Sequence, residues 1–221
     1  MSPTIKRPFP CLFLATLFWS TIASAQVGDF ESAADVGKVA PPGAAQYDKA
    51  AGQYRISAAG ENIWNKLDAF HFVHRKVTGD FTIAAGEIAF VGQGKNAHRK
   101  AGVMIRQSLD ADAPYVDVMI HGDGLISLQY RTEKGGITKG IDAKVKSPAA
   151  IRLERRGDRF TLFVNKKGEE PHEAGSIKLA LGDPVYVGLA VCSHDEKTTE
   201  TAIFSGVIFK ADAAKPAKAN P

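Results

Sequence analysis

The chain has 221 residues, 44% of them hydrophobic, which is enough to build a core of ordinary size. Its formal charge of +4 is scattered along the chain with no basic stripe, so an electrostatic nucleic-acid binder is excluded. Cys11 and Cys192 are its only cysteines, which excludes a disulfide-stapled scaffold.

The N-terminus reads as a processing signal. Lys6 and Arg7 precede the apolar run Cys11 to Ile22 (CLFLATLFWSTI), and Ala23-Ser24-Ala25 forms a small-residue cleavage site before Gln26. This is the layout of a secretory signal peptide over residues 1–25. The run is shorter than the roughly 20 residues that a bilayer span takes. Cys11 opens the run instead of closing it, against a lipoprotein anchor, and no other segment is long and apolar enough to cross. The expected product is exported, periplasmic or extracellular, with no membrane span and no nucleic-acid partner. Cleavage removes Cys11 and with it any intramolecular disulfide. Cys192, in the strand-like run VYVGLAVCSH, is expected as a buried thiol.

Residues 26–46 are rich in Gly, Pro and Ala and are expected to form a flexible lead. Tyr47 to Ser57 reads as a hairpin turning at Ala51-Gly52. Strands follow at Ala69–Lys76, Phe81–Phe90, Gly102–Gln107, Tyr115–His121, Leu125–Arg131, Ala150–Arg156, Phe160–Asn165, Ser176–Leu179, Val185–Cys192 and Thr201–Lys210. The turns between them include Thr78-Gly79-Asp80, Gly122-Asp123-Gly124, Lys134-Gly135-Gly136 and Gly157-Asp158. Alternation breaks near Gly86, which suggests a bulge. No stretch sustains a helical period, so the expectation is one all-β domain over 47–210, a sandwich or barrel of antiparallel strands. The Ala/Lys/Pro tail, 211–221, cannot build a core and is expected to be disordered. Val103, Ile105, Val116, Val118, Ile120, Ile126, Leu128, Leu153, Phe160, Leu162 and Val187 are the expected core.

Tyr115–His121 and Leu125–Arg131 raise the functional question. Val116, Val118, Ile120, Ile126, Leu128 and Tyr130 share an apolar face. Asp117, Met119, His121, Ser127, Gln129 and Arg131 share the opposite one, with Arg106 beside them on the preceding strand. Such a row either hydrogen-bonds sugar hydroxyls or is simply a solvated outer face. Trp64, flanked by Asn62 and Asn65, either stacks on a pyranose or plugs the end of the sandwich. The candidate ligand-binding residues are thus Arg106, Asp117, His121, Gln129, Arg131 and Trp64.

Metal and enzyme signatures are weak. His71 and His74 are three apart, so a strand sends them to opposite faces. His98, His121 and His194, with Asp117 or Asp195, lack the spacing of a metal site, and none is expected. Asp110-Ala111-Asp112 carries the alternate carboxylates that calcium uses, but a solvated turn is the plainer reading. No strand carries an ExDxE triplet, Glu87 and Glu154 stand alone, and GxSxG is absent, so no catalytic residue is assigned. Gly92-Gln93-Gly94 lacks the strand-to-helix context of a phosphate cradle, and Arg156-Gly157-Asp158 reads as a hairpin turn.

Five blocks carry a resemblance: Gly60–Ile83 (GENIWNKLDAFHFVHRKVTGDFTI), His98–Tyr115, His121–Arg131, Ala150–Asn165 and Tyr186–His194. In this order they resemble concanavalin A-like, laminin-G-like jelly-roll domains of secreted bacterial proteins. That domain-of-unknown-function family includes the regulation-of-enolase protein. The resemblance covers roughly Tyr47 to Lys210 and implies a jelly-roll sandwich of two antiparallel sheets. It implies carbohydrate contact by association only and assigns no catalytic residue. The expected function is an exported, noncatalytic carbohydrate-binding or accessory module with a glycan as partner. One alternative is a glycan-active hydrolase or lyase using His121 and Asp117 on the concave sheet. The other is a structural envelope protein with no small ligand.

Overall fold

In a computed structural model that describes residues 26–212, the chain forms eighteen strands and no helix. The signal-peptide and Cys11 expectations and most of the tail lie outside the described residues. In chain order the strands are β1 (Ser32–Val36), β2 (Ala44–Asp48), β3 (Gln53–Gly60), β4 (Ile63–Trp64), β5 (Leu67–Asp68) and β6 (Phe70–Val77). Then come β7 (Phe81–Ala85), β8 (Glu87–Phe90), β9 (Lys100–Arg106), β10 (Tyr115–His121), β11 (Ile126–Arg131) and β12 (Lys139–Asp142). The last are β13 (Ala150–Arg156), β14 (Arg159–Asn165), β15 (His172–Lys178), β16 (Val185–Cys192), β17 (Asp195–Ser205) and β18 (Ile208–Ala211).

A seven-stranded sheet, β1-β6-β16-β9-β10-β11-β12, makes one layer. The facing layer is split into a five-stranded sheet, β15-β14-β13-β7-β18, and a four-stranded sheet, β2-β3-β17-β8. Two chain segments cross this split. The expected single strand Phe81–Phe90 breaks at Gly86, so β7 joins one sheet and β8 the other. The expected strand Thr201–Lys210 breaks at Gly206, so β17 and β18 part in the same way. The two breaks meet, because Gly86 N donates to Ser205 O at 2.9 Å. Gly206 has φ +62°, a conformation that favours glycine there.

Between the layers lies the main core. Every residue expected there is buried, including Val118, Ile120 and Leu128 from β10 and β11 and Leu153, Phe160 and Leu162 from β13 and β14. Alternation put them there, since residues two apart on a strand share a face.

Residues 26–46 do not form a free lead. β1 pairs with β6 in register Ser32↔His74 to Val36↔Phe70, and β2 pairs with β3. Phe30 and Val36 are fully buried. Sequence reading missed β1 because SAADV has little intrinsic strand preference, and pairing with β6 decides its state. No helix among the described residues is long and apolar enough to cross a membrane.

Ile120→Ala should cost about 2–5 kcal/mol in urea unfolding, the usual loss for a buried large-to-small change. A loss under about 0.5 kcal/mol, typical of surface sites, would contradict its place in the core.

Candidate functional site

Alternate residues of the seven-stranded sheet point away from the main core, and cross-strand register arranges them in rows. Arg106, Tyr115 and Arg131 form one row. Met104, Asp117 and Gln129 form the next, followed by Gly102, Met119 and Ser127. Lys100 and His121 close the series. Arg106, Asp117, Met119, His121, Ser127, Gln129 and Arg131 among them are the residues expected on an outer polar face.

That face is not open. Asp117, Ser127, Gln129 and Arg131 are at most 2% exposed. A second apolar cluster covers it, in which Ile63 from β4 packs on Val36, Phe70, Phe72, Met104, Met119 and Cys192 of the sheet. The β4–β5 hairpin and the loops at 107–114 and 132–138 form the cover. Cys192 is buried as expected, and burial pushes its thiol up to about 11. His71 and His74 point to opposite faces as expected. His71 leaves the cluster and meets Asp35 at 2.7 Å, while His74 packs on Phe72.

At one end the cover is pinned by charge. Arg131 grips Asp68 with both guanidinium nitrogens, Nη2 to Oδ1 at 2.7 Å and Nη1 to Oδ2 at 2.8 Å. Arg106 Nη1 reaches Asp68 Oδ2 at 3.4 Å. All three side chains are 0% exposed. The remaining guanidinium donors go to loop carbonyls: Arg106 to Ser108 O and Asp110 O, Arg131 to Ala113 O and Gly136 O. Arg106 and Arg131 were expected to bind ligand. Instead they are consumed by Asp68 and the loops, and no open surface reaches them. Asp110 and Asp112, the calcium candidates, flank Lys134 at 2.8 and 3.6 Å.

At the other end the cover stops and a cavity of about 340 Å³ opens. Lys100, His121, Ser127 and Gln129 form its floor, and Asn62 and Trp64 form one wall. His98 and His194 also line it, their rings edge-to-face with centroids 5.4 Å apart, and His194 Nδ1 lies 2.8 Å from Glu61 O beside Asn62. Trp64 is half-buried and lies against β12, where a Cβ at Gly140 would sit 3.4 Å from its ring. So Trp64 forms a partly exposed wall of the cavity. Of the six expected ligand residues, the cavity unites His121, Gln129 and Trp64. Asp117 lies under the floor, fully buried.

The floor holds polar atoms without partners. Gln129 Nε2 donates to His121 Nε2 at 3.2 Å, which places the imidazole proton on Nδ1. His121 Nδ1, Gln129 Oε1 and both Asp117 carboxyl oxygens have no hydrogen bond. Burial holds the His121 imidazole down at about 4, with Lys100 adding to the effect. Burial drives the Asp117 carboxyl well above the carboxylate range. Lys100 Nζ donates to Asn62 Oδ1 and, at 3.4 Å, to Ile63 O. It stands 5.8 Å from the Trp64 ring centre. Burial lowers the Lys100 ammonium below its ordinary value. Among the described residues no group of three or more His, Cys, Asp or Glu is placed to hold a metal ion.

Sequence reasoning missed Lys100, Asn62 and Asp68. Parity carried the signal for Lys100, which shares its face with Gly102, Met104 and Arg106 along β9. Asp68 carried none, because its partners lie 38 and 63 positions away.

Asp68→Ala leaves two buried guanidiniums with no carboxylate and should cost roughly 3–5 kcal/mol, read as a fall in the urea midpoint. A loss near zero would show that the ion pairs do not hold the cover. The His121 shift has a defined sign. The unfolded imidazole takes a proton near 6.5 and the folded one only near 4, so its stabilising contribution is complete above pH 6.5 and shrinks as pH falls towards 4. The unfolding free energy of wild type minus that of His121→Asn should therefore be flat above pH 6.5 and decline below it. The subtraction cancels the opposite trend of Asp117, and a difference that grows on acidification would overturn the neutral imidazole.

No protein-family model matches the chain, and no curated protein matches it. Solved structures do. A functionally unknown protein from Saccharomyces cerevisiae is 14% identical, aligning 82% of this chain with 97% of its own at a TM-score of 0.59. The carbohydrate-binding module CBM66 from Bacillus subtilis is 16% identical over 83% of this chain and 98% of its own, with a TM-score of 0.54. An alginate lyase from Klebsiella pneumoniae is 10% identical over 77% and 85%, with a TM-score of 0.50. At such identities the likeness is one of fold, and the fold is the concanavalin A-like jelly roll.

Proposed function

We propose that the chain is an exported, noncatalytic carbohydrate-binding module that seats a sugar in the cavity beside Trp64. One observation carries this reading: a half-buried tryptophan wall stands over buried hydrogen-bonding groups that have no protein partner. A pyranose matches both features. Its C–H face suits the indole ring, and its hydroxyls both donate and accept, as Gln129 Oε1 and His121 Nδ1 require. A cavity of about 340 Å³ falls within the range of small-ligand sites. The fold shared with a carbohydrate-binding module adds support, and residues 1–25 support export.

One observation favours glycan cleavage as a second reading. His121 is held neutral, so its Nε2 lone pair would accept a proton once the Gln129 amide released it. Against hydrolysis, Asp142 is the one carboxylate residue lining the cavity among the described residues, and glycosidases use two. The structural-protein alternative called for a flat, solvated polar face, and this face is covered and indented.

Without residues 1–25, Trp64 is the only tryptophan, so its fluorescence reports the site directly. A cognate glycan found on an array should perturb that emission and be recovered intact. His121→Ala should weaken retention roughly tenfold to a hundredfold while the protein still melts cooperatively. Unchanged retention by the folded variant would remove the cavity from the reading. Shortened glycan in the eluate would select cleavage.

A further inference from the structure

We propose that the glycan is acidic and that its anionic group pairs with Lys100 on the cavity floor. This rests on the cavity being a sugar site and adds the chemical class of the sugar.

The other buried cations among the described residues each hold a carboxylate. Arg106 and Arg131 share Asp68, and Arg155 holds Asp183 at 2.6 Å. Arg99, 18% exposed, holds Glu200 at 3.2 Å. Lys100 is 3% exposed, yet among the described residues no carboxylate lies within ion-pair distance of it. Its two hydrogen bonds go to neutral oxygens, Asn62 Oδ1 and Ile63 O. An ammonium has three donors, so one remains. Among the buried cations of the described residues, Lys100 is therefore the one without a carboxylate, and it is the cation that lines the cavity.

The other ionisable groups around it do not fill the gap. Asp117 lies two rows away across Gly102, and burial holds its carboxyl toward the neutral form. Asp142 stands exposed on the cavity's edge, where water screens it. His98, His121 and His194 bring no negative charge. A buried ammonium without a counter-charge is costly, and an incoming anion both supplies the charge and accepts the third donor. The His121 Nδ1 proton is a further donor on the same floor. Trp64 beside Lys100 gives the sugar ring its platform, so a ring stacked there carries its anionic substituent towards the ammonium. A uronate carboxylate and a sulfate ester share this chemistry.

The test uses the chain from Gln26 onward and calorimetric titration with defined oligosaccharides. The probes are oligogalacturonate, its methyl ester, chondroitin sulfate oligosaccharides and neutral galacto-oligosaccharides. At least one anionic probe should bind tenfold or more tightly than the methyl ester and the neutral probe, and which one does so identifies the anion. Added sodium chloride should weaken that binding. Lys100→Gln should abolish the preference, and Lys100→Arg should keep most of it. An ester or neutral probe that binds as well as the acids overturns the inference and leaves the sugar site standing. No binding by any probe overturns both. Should Lys100→Gln fail to fold, the wild-type comparison of acid with ester decides alone.

Discussion

The bidentate contact of Arg131 with Asp68, reinforced by Arg106, is the constraint on which the site depends. It joins the short β4–β5 hairpin to the seven-stranded sheet by direct contact. Three charges buried together gain little net stability over an apolar replacement. What they give is a single docking position, because a planar guanidinium accepts a carboxylate in one orientation. The hairpin is too short to fold by itself, having two residues on each side. Its position is borrowed from Asp68. Fixing Asp68 places Ile63 over the second apolar cluster and Trp64 along the cavity.

Covering half of the face changes the chemistry of the other half. Where the hairpin seals the sheet, all of the Arg131 guanidinium donors find acceptors. Where the seal ends, Lys100, His121, Gln129 and Asp117 lie in a medium of low dielectric with too few partners. Each feels the same desolvation, and its effect depends on charge. It favours a neutral imidazole at His121 and a neutral carboxyl at Asp117, and it weakens the ammonium at Lys100. The sealed end is thus what makes interactions at the open end strong.

The period-two pattern made most of the fold legible. Tyr115–His121, Ala150–Arg156 and Val185–Cys192 run as strands over the spans that the sequence predicts. Alternation also separates Val118 and Ile120 from Asp117 and Met119. It says nothing of what covers the second face, so the polar row looked solvated. The warning was present in Phe70, Phe72, Met104 and Cys192, apolar residues repeating on that same side of β6, β9 and β16. One strand with two apolar faces is a fully buried strand. The site was less legible because its groups come together through contacts between distant parts of the chain. Arg106 and Arg131 have the chemistry of a ligand clamp, and only the position of Asp68 shows that they already hold one.

The two ends of this face use the same residue types for opposite purposes, and hydrogen-bond accounting separates them. Arg131 spends its donors on Asp68, Ala113 and Gly136, so burial there is compensated and its role is structural. His121 and Gln129 satisfy one another once and then leave a donor and an acceptor without a protein partner, buried at the floor of the cavity. Native interiors rarely leave such groups unmatched, because each costs as much as a lost hydrogen bond. A core that needed only stability would have apolar side chains there, as it does at Met104 and Met119 one strand position away. Of the buried polar atoms without a partner among the described residues, those of Asp117, His121 and Gln129 lie in or beneath the cavity floor, whereas His71 and His74 each leave one ring nitrogen unpartnered elsewhere. The three beside the cavity are the ones that the proposed sugar site draws on, because a ligand is the one partner that could reach them from that side.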